Sequence, residues 1–148
     1  MKEQFVTYEI ALKLKELGFD EECLCTYGKS DKRFMRNPGT NMLEEPIMGE
    51  PYYWKNSKIY ESVIAIPLWQ QVIDWFRITF QLFMGVSTDT ISLKCSYEIF
   101  INNIDTDKVV TYNENKNSDN WTLTYEKARE QAILKAIELC KEKNLSKD

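Results

Sequence analysis

The stretch that decides the fold is IAIPLWQQVIDWFRITF, residues 64–80. Pro67 suits the first turn of a helix, where a backbone N–H has no intrahelical partner and the fixed φ of proline is already helical. The β-branched residues before it favour a strand. Because two apolar stripes follow at helical spacing, we expect a central helix over 67 to about 79. Residues 78–83 include β-branched and aromatic side chains and could equally start a strand, and the helix must stop by Gly85. The stripes are Trp69, Ile73, Phe76, Phe80 and Phe83, and beside them Leu68, Val72, Trp75 and Leu82.

This helix retains only a narrow polar face. A sheet on one side covers about half of a helix, so something else must cover the remaining apolar surface. One alternative is a lid formed by the aromatic end of the preceding loop, and the other is a second copy of the chain. The second alternative predicts self-association through the central helix, with a two-fold dimer as the commonest closed arrangement.

Around this helix the pattern predicts one α+β domain over residues 1–148. Further helices are expected at 7–17, where Gly18 ends the helix, and at 125–143, where Thr124 caps it. Residues 91–101 alternate between apolar and polar side chains and predict a strand with one buried face, paired with 108–112 as a hairpin. The architecture expected is a two-layer or α-β-α sandwich, with three helices on a mainly antiparallel sheet.

Two segments show no sustained period. Residues 113–120 are polar throughout, so we expect a mobile tip there. Residues 28–57 hold three glycines and three prolines and predict a long loop, although a hidden short strand is an alternative.

The loop 28–57 contains the candidate binding residues. Its first part is basic in an acidic protein, which is typical of a binding surface or of a solvated charge run. Its last part is aromatic, which is typical of a binding surface or of a lid on the core. Trp69 of the central helix is a further candidate. The full set of candidate binding residues is Lys32, Arg33, Arg36, Tyr52, Tyr53, Trp54 and Trp69.

Composition argues against an enzyme. The 148 residues include no histidine, the side chain that most often transfers protons near neutral pH. The sequence shows no glycine-rich phosphate loop, nucleophile elbow or zinc-protease motif. We therefore predict a non-catalytic protein with no cofactor and no metal.

Composition also bears on location and partners. The four cysteines lack the spacing of a disulfide scaffold, no apolar run approaches the roughly 20 residues that span a bilayer, and the first residues are too polar for a signal peptide. These features predict a protein of the host-cell cytoplasm without a membrane partner. A net charge of −4 argues against a dedicated binder of duplex nucleic acid.

The aromatic surplus and the missing catalytic motifs predict an interaction protein that binds another protein or itself. The alternative is single-stranded nucleic-acid binding by the loop 28–57. In that case Phe34, Tyr52, Tyr53 and Trp54 would stack on bases, and Lys29, Lys32, Arg33 and Arg36 would contact phosphates.

Two segments carry a family resemblance. Residues 65–77 contain Ala65, Pro67, Gln71 and the run Trp75-Phe76-Arg77, and residues 124–132 contain Thr124-Tyr125-Glu126 followed by Ala128. Together they resemble small uncharacterised proteins of gut Bacteroidales genomes and their phages, which look like A-P-x-x-x-Q followed by W-F-R and later T-Y-E-x-A. The resemblance implies an origin in a phage or mobile element and an α+β sandwich, and it implies no activity.

Overall fold

The computed structural model describes residues 2–35, 53–89, 94–103, 108–112 and 124–145. Within these ranges it contains three α-helices and six strands, and the strands form two antiparallel sheets of three strands each. This confirms the α+β class, although the strands are divided between two sheets where one was expected. The chain forms two compact units, residues 1–71 and 72–148. The prediction of a single domain stays a prediction, and the predicted tip at 113–120 lies outside the described residues.

The first helix, α1 (Tyr8–Glu16), has the predicted ends. The Thr7 hydroxyl oxygen accepts the N–H of Ile10 over 3.4 Å at the N-terminus. At the other end Gly18 takes a φ of 91°, and the N–H of Phe19 donates to the Leu14 carbonyl over 2.9 Å. The left-handed glycine lets the chain turn back on the last helical turn, as the sequence predicts.

The first sheet has the strand order β2–β1–β3, with β1 at Cys25–Gly28, β2 at Phe34–Met35 and β3 at Val63–Ile66. All residues of β1 and β3 are buried. Strand β2 lies within residues 28–57, where a hidden short strand was the alternative to a loop. A 3-10 helix at Asn56–Lys58 precedes the β-branched residues that favour a strand before the central helix.

The outer edge of β3 is closed by a side chain. The Asn56 side-chain oxygen accepts the N–H of Ala65 over 3.1 Å, and its amide nitrogen donates to the Phe19 carbonyl over 2.9 Å. Beside it, Asp20 accepts both the backbone N–H and the hydroxyl of Ser57, over 2.7 and 2.6 Å. The 3-10 helix is therefore fixed at once to the end of α1 and to the sheet edge.

The central helix, α2 (Trp69–Phe80), begins two residues later than predicted. Pro67 lies before the helix, and its carbonyl accepts the N–H of Val6 over 3.1 Å. The single chain buries Val72, Trp75 and Phe76 almost completely. Self-association through the central helix stays a prediction.

The helix α2 ends abruptly. Gln81 adopts a φ of 56°, in the left-handed region, and strand β4 (Leu82–Thr88) begins at the next residue. Leu82 and Phe83 continue the apolar spacing of the helix but lie beyond its predicted end near 79, and they are strand residues. The β-branched and aromatic character of this segment, which also suits a strand, decides its structure here.

The second sheet has the order β4–β5–β6, with β5 at Cys95–Asn103 and β6 at Lys108–Tyr112. The predicted hairpin of β5 and β6 is confirmed. The described part of β5 buries Cys95, Tyr97 and Ile99, as the alternation predicts, but it also buries Ser96 on the other face. Residues 90–93 lie outside the described ranges.

The last helix, α3 (Tyr125–Leu145), packs on β4 and β5. The Thr124 hydroxyl oxygen accepts the N–H of Lys127 over 3.4 Å, which is the predicted cap. Ala128, Ala132 and Ala136 are buried along one line of the helix. These small side chains let the helix axis lie close to the sheet.

Candidate binding surfaces

The predicted basic residues Lys32 and Arg33 lie on the tight connection between β1 and β2. The N–H of Gly28 donates to the Arg33 carbonyl over 3.0 Å, and the Asp31 carboxylate accepts the N–H of Arg33 over 3.0 Å. A Cβ at position 28 would lie 2.5 Å from the Asp31 carboxylate oxygen, so a larger residue here would have to displace that carboxylate. Lys32 itself has a φ of 52°. The connection is therefore held by its own backbone and side-chain bonds.

Lys32 has partners within its own unit. Its Nζ lies 2.9 Å from Oε1 of Glu9 and 4.9 Å from the centre of the Tyr8 ring. The hydrogen bond from Lys32 lowers the pKa of Glu9 below its ordinary value, and the same bond raises the pKa of Lys32. Any phosphate bound here would compete with an internal carboxylate.

Four aromatic rings beneath this connection form a chain of edge-to-face contacts. Ring centres are 5.4 Å apart for Phe5 and Phe34, 5.7 Å for Phe34 and Tyr27, and 5.8 Å for Tyr27 and Tyr8. Such contacts stabilise a core through the ring quadrupoles. Phe34, a predicted stacking residue, is half-buried in this cluster. The sequence provides no periodic signal for the cluster, because its members come from two separate stretches, residues 5–8 and 27–34.

The aromatic end of the loop divides into a buried and an exposed residue. Trp54 exchanges two backbone hydrogen bonds with Cys23 and is 1% exposed, so its ring belongs to the core. Tyr53, which precedes Trp54, is 46% exposed, and Leu24, which follows Cys23, is also 46% exposed. Arg36 and Tyr52 lie outside the described residues. The single-stranded nucleic-acid alternative stays a prediction, and within the described ranges Trp54 is not presented for stacking.

Trp69 lies at the start of α2 rather than at the loop. It is buried, and its indole N–H donates to the Glu3 carbonyl over 3.0 Å. This bond fixes the N-terminal segment of the chain against the first turn of α2. The described contacts give Trp69 a place in the packing of unit 1.

The described residues show no assembled reactive or metal centre. All four cysteines are free thiols and buried, and burial raises the pKa of Cys23 far above its ordinary value. Thiolate chemistry requires the opposite shift. In the described ranges no group of three or more acidic, cysteine or histidine side chains is placed to hold a metal ion. The same ranges contain no helix that is both long and apolar enough to cross a membrane.

A surface that sequence reasoning missed lies along β4. Among the described residues, the one strand neighbour of β4 is β5, so the other side of β4 is a sheet edge. Charged residues and proline are two common devices for blocking a free edge. The strand reads LFMGVST and contains neither. Phe83 on this strand is 45% exposed, and Ile78 near the end of α2 is 75% exposed.

The hydrogen bonds show which backbone groups of β4 point away from β5. The N–H of Asp89 donates to the Lys94 carbonyl over 2.9 Å, which makes these two residues a hydrogen-bonded pair of the ladder. Hydrogen-bonded pairs alternate with non-bonded pairs in an antiparallel ladder. Counted back from Asp89, every second residue therefore bonds to β5, and the residues between direct their N–H and C=O outward. The outward residues, here called the β4 edge, are Leu82, Met84, Val86 and Thr88.

Comparisons of the chain with protein-family models, curated proteins and solved structures find no match. The resemblance to Bacteroidales and phage proteins therefore stays a prediction. The case for function depends on the geometry of the described residues.

Proposed function

We propose that this chain is a non-catalytic interaction protein of phage or mobile-element origin, which binds another protein strand at the β4 edge. The observation that carries the proposal is the uncharged edge itself. The chain closes the edge of β3 with Asn56 but places no comparable side chain, charge or proline on β4 among the described residues. A free strand edge of this kind is a template for strand addition.

The β4 edge offers both parts of such an interaction. Its four outward residues present N–H donors and C=O acceptors to an added strand, and each bond formed contributes about 0.5–1.5 kcal/mol net. The exposed ring of Phe83 adds an apolar contact of the type that dominates interface energetics. The backbone would supply affinity, and the side chains would supply the choice of partner.

The experiment compares two aromatic residues of equal exposure. Phe83 is 45% exposed on β4, and Tyr53 is 46% exposed in the other unit. The bait is wild-type protein, Phe83→Lys or Tyr53→Lys. Each is incubated with a lysate of cells that carry the gene, to which isotope-labelled wild-type chain is added. Captured proteins are quantified by mass spectrometry.

We expect recovery of at least one protein to fall about tenfold with Phe83→Lys, because losing an interface aromatic typically costs about 1–2 kcal/mol. Tyr53→Lys should leave that recovery unchanged. A second variant, Val86→Pro, removes an outward N–H at an edge position that tolerates proline and should act like Phe83→Lys. If recovery depends on Tyr53 alone, or on neither residue, the β4 edge is not the binding surface.

A further inference from the structure

We infer that the strand added at the β4 edge is β4 of a second copy of this chain, antiparallel to the first and centred on Gly85. This inference rests on the proposed function of the β4 edge. The two copies form a two-fold dimer, in which two three-stranded sheets become one six-stranded sheet.

The hydrogen-bond pattern fits this register. With Gly85 opposite Gly85, Met84 faces Val86 of the second copy and Leu82 faces Thr88 of the second copy. All of these are outward residues, so each facing pair can exchange two backbone hydrogen bonds. The register uses the whole strand, Leu82–Thr88, whereas a symmetric register centred elsewhere would leave residues unpaired.

The side chains are compatible with the same register. Leu82 is buried and Met84 and Val86 are half-buried, whereas Phe83 and Gly85 are exposed, so the outward residues from Leu82 to Val86 lie on the face that α3 covers. Thr88, at the end of the strand, is exposed. Facing residues in an antiparallel pair lie on the same face. Each copy therefore keeps its α3 on the same side of the joined sheet.

Gly85 makes room for the exposed aromatic ring. In the proposed pairing, Phe83 lies opposite Ser87 of the second copy and diagonal to Gly85 of the second copy. A diagonal neighbour is within reach of an aromatic side chain, and an aromatic ring beside a glycine compensates for its missing side chain. Two Phe83 rings would then cover the two central glycines from opposite ends.

Charge and symmetry favour a second copy. The chain carries a net charge of −4, yet self-pairing of β4 opposes no charged residues because the strand has none. Pairing β4 with β4 closes after two copies. Pairing β4 with the opposite edge of the same sheet, at β6, would continue into an open fibre.

Disulfide trapping tests the register directly. Facing residues of a non-hydrogen-bonded pair have Cα atoms about 4.5 Å apart, within the roughly 4.4–6.8 Å that a disulfide spans. A Cβ built at Gly85 has no atom within 4 Å, so Gly85→Cys is accommodated. The native thiols are all buried and do not compete. Gly85→Cys should form a covalent dimer under mild oxidation.

Ser87→Cys is the matched control. In the proposed register the two Ser87 positions are four residues apart along the strands, about 13 Å, so Ser87→Cys alone should give at least tenfold less covalent dimer. Phe83→Cys alone should behave in the same way, but mixing it with Ser87→Cys should produce the mixed dimer. Sedimentation of the wild-type chain should show a dimer that Phe83→Lys dissociates, which keeps the inference testable if a cysteine variant misfolds.

A wild-type chain that sediments only as a monomer at about 100 μM, or equal cross-linking of Gly85→Cys and Ser87→Cys, would overturn the inference. The capture experiment separates this failure from failure of the proposed function. If another protein is recovered in a Phe83-dependent manner while the labelled chain is not, the β4 edge binds a different partner. If neither is recovered, the proposed function fails as well.

Discussion

Replacing Asn56 by alanine should remove the bond that closes the edge of β3. The Asn56 side chain satisfies the N–H of Ala65 over 3.1 Å and the carbonyl of Phe19 over 2.9 Å. Both of these residues are 1% exposed. A hydrogen bond contributes about 1 kcal/mol net, and a buried polar group left without a partner costs about 1–3 kcal/mol. We therefore expect Asn56→Ala to lower the free energy of unfolding by about 2–4 kcal/mol.

The assay combines urea unfolding with hydrogen exchange at single amides. Urea unfolding gives the change in stability, and exchange of the Ala65 amide reports on the bond to the Asn56 side chain that the substitution removes. In Asn56→Ala this amide should exchange at least tenfold faster than in the wild-type protein. Ser57→Ala is the control, since it removes the exposed hydroxyl bond to Asp20 but keeps the backbone bond beside it.

Ser57→Ala should change the free energy of unfolding by less than about 1 kcal/mol, as exposed substitutions usually do. A loss below about 0.5 kcal/mol in Asn56→Ala, with the Ala65 amide still protected, would refute the role assigned to Asn56. An equal loss in Ser57→Ala would show that the whole 3-10 helix, and not this side chain, supports the edge.

Three further outcomes follow from packing and charge. Ala132→Leu should destabilise the protein by about 1–3 kcal/mol, because the added atoms overpack the contact of α3 with its sheet; Gln131→Leu, on the exposed side of the helix, should leave the melting temperature nearly unchanged. By NMR titration the pKa of Glu9 should lie below its ordinary value and rise in Lys32→Ala. The stability contributed by ionised Glu9 is present above its unfolded-state pKa and should be lost as the pH falls through the lowered value. All four thiols should resist a thiol reagent at pH 8 until the protein unfolds, because they are buried; rapid labelling of the native protein would contradict this.

The elements that the sequence predicts well are those specified by local pattern. The alternation in β5 and its hairpin with β6, the capped and glycine-terminated α1, and the alanine line of α3 all follow from residues close in the chain. Side-chain period and capping are decided within one or two turns or strand steps, so a single sequence is sufficient for them.

The features that sequence reasoning missed depend on distant residues. Local pattern left the structure of residues 78–83 open between helix and strand, and pairing with β5 makes Leu82 and Phe83 strand residues. The division into two sheets, the contact of the Phe5 ring with the Phe34 ring and the binding of Lys32 by Glu9 also join segments far apart in the chain. Tertiary contacts of this kind override local preference, and they leave no periodic signal in the sequence.

The single residue between α2 and β4 constrains how the chain can change in length. Gln81 alone connects the last residue of the helix to the first residue of the strand. The junction therefore has no additional residues that could absorb a change in length. One residue inserted here would turn β4 over, since successive strand residues point to opposite faces, and would move Phe83 and Gly85 to the face that α3 covers. Among homologues this site should therefore exclude insertions and deletions, and its left-handed φ should favour glycine or asparagine among the substitutions. The spacing between Phe80 and Leu82 is then a marker for aligning relatives of low identity.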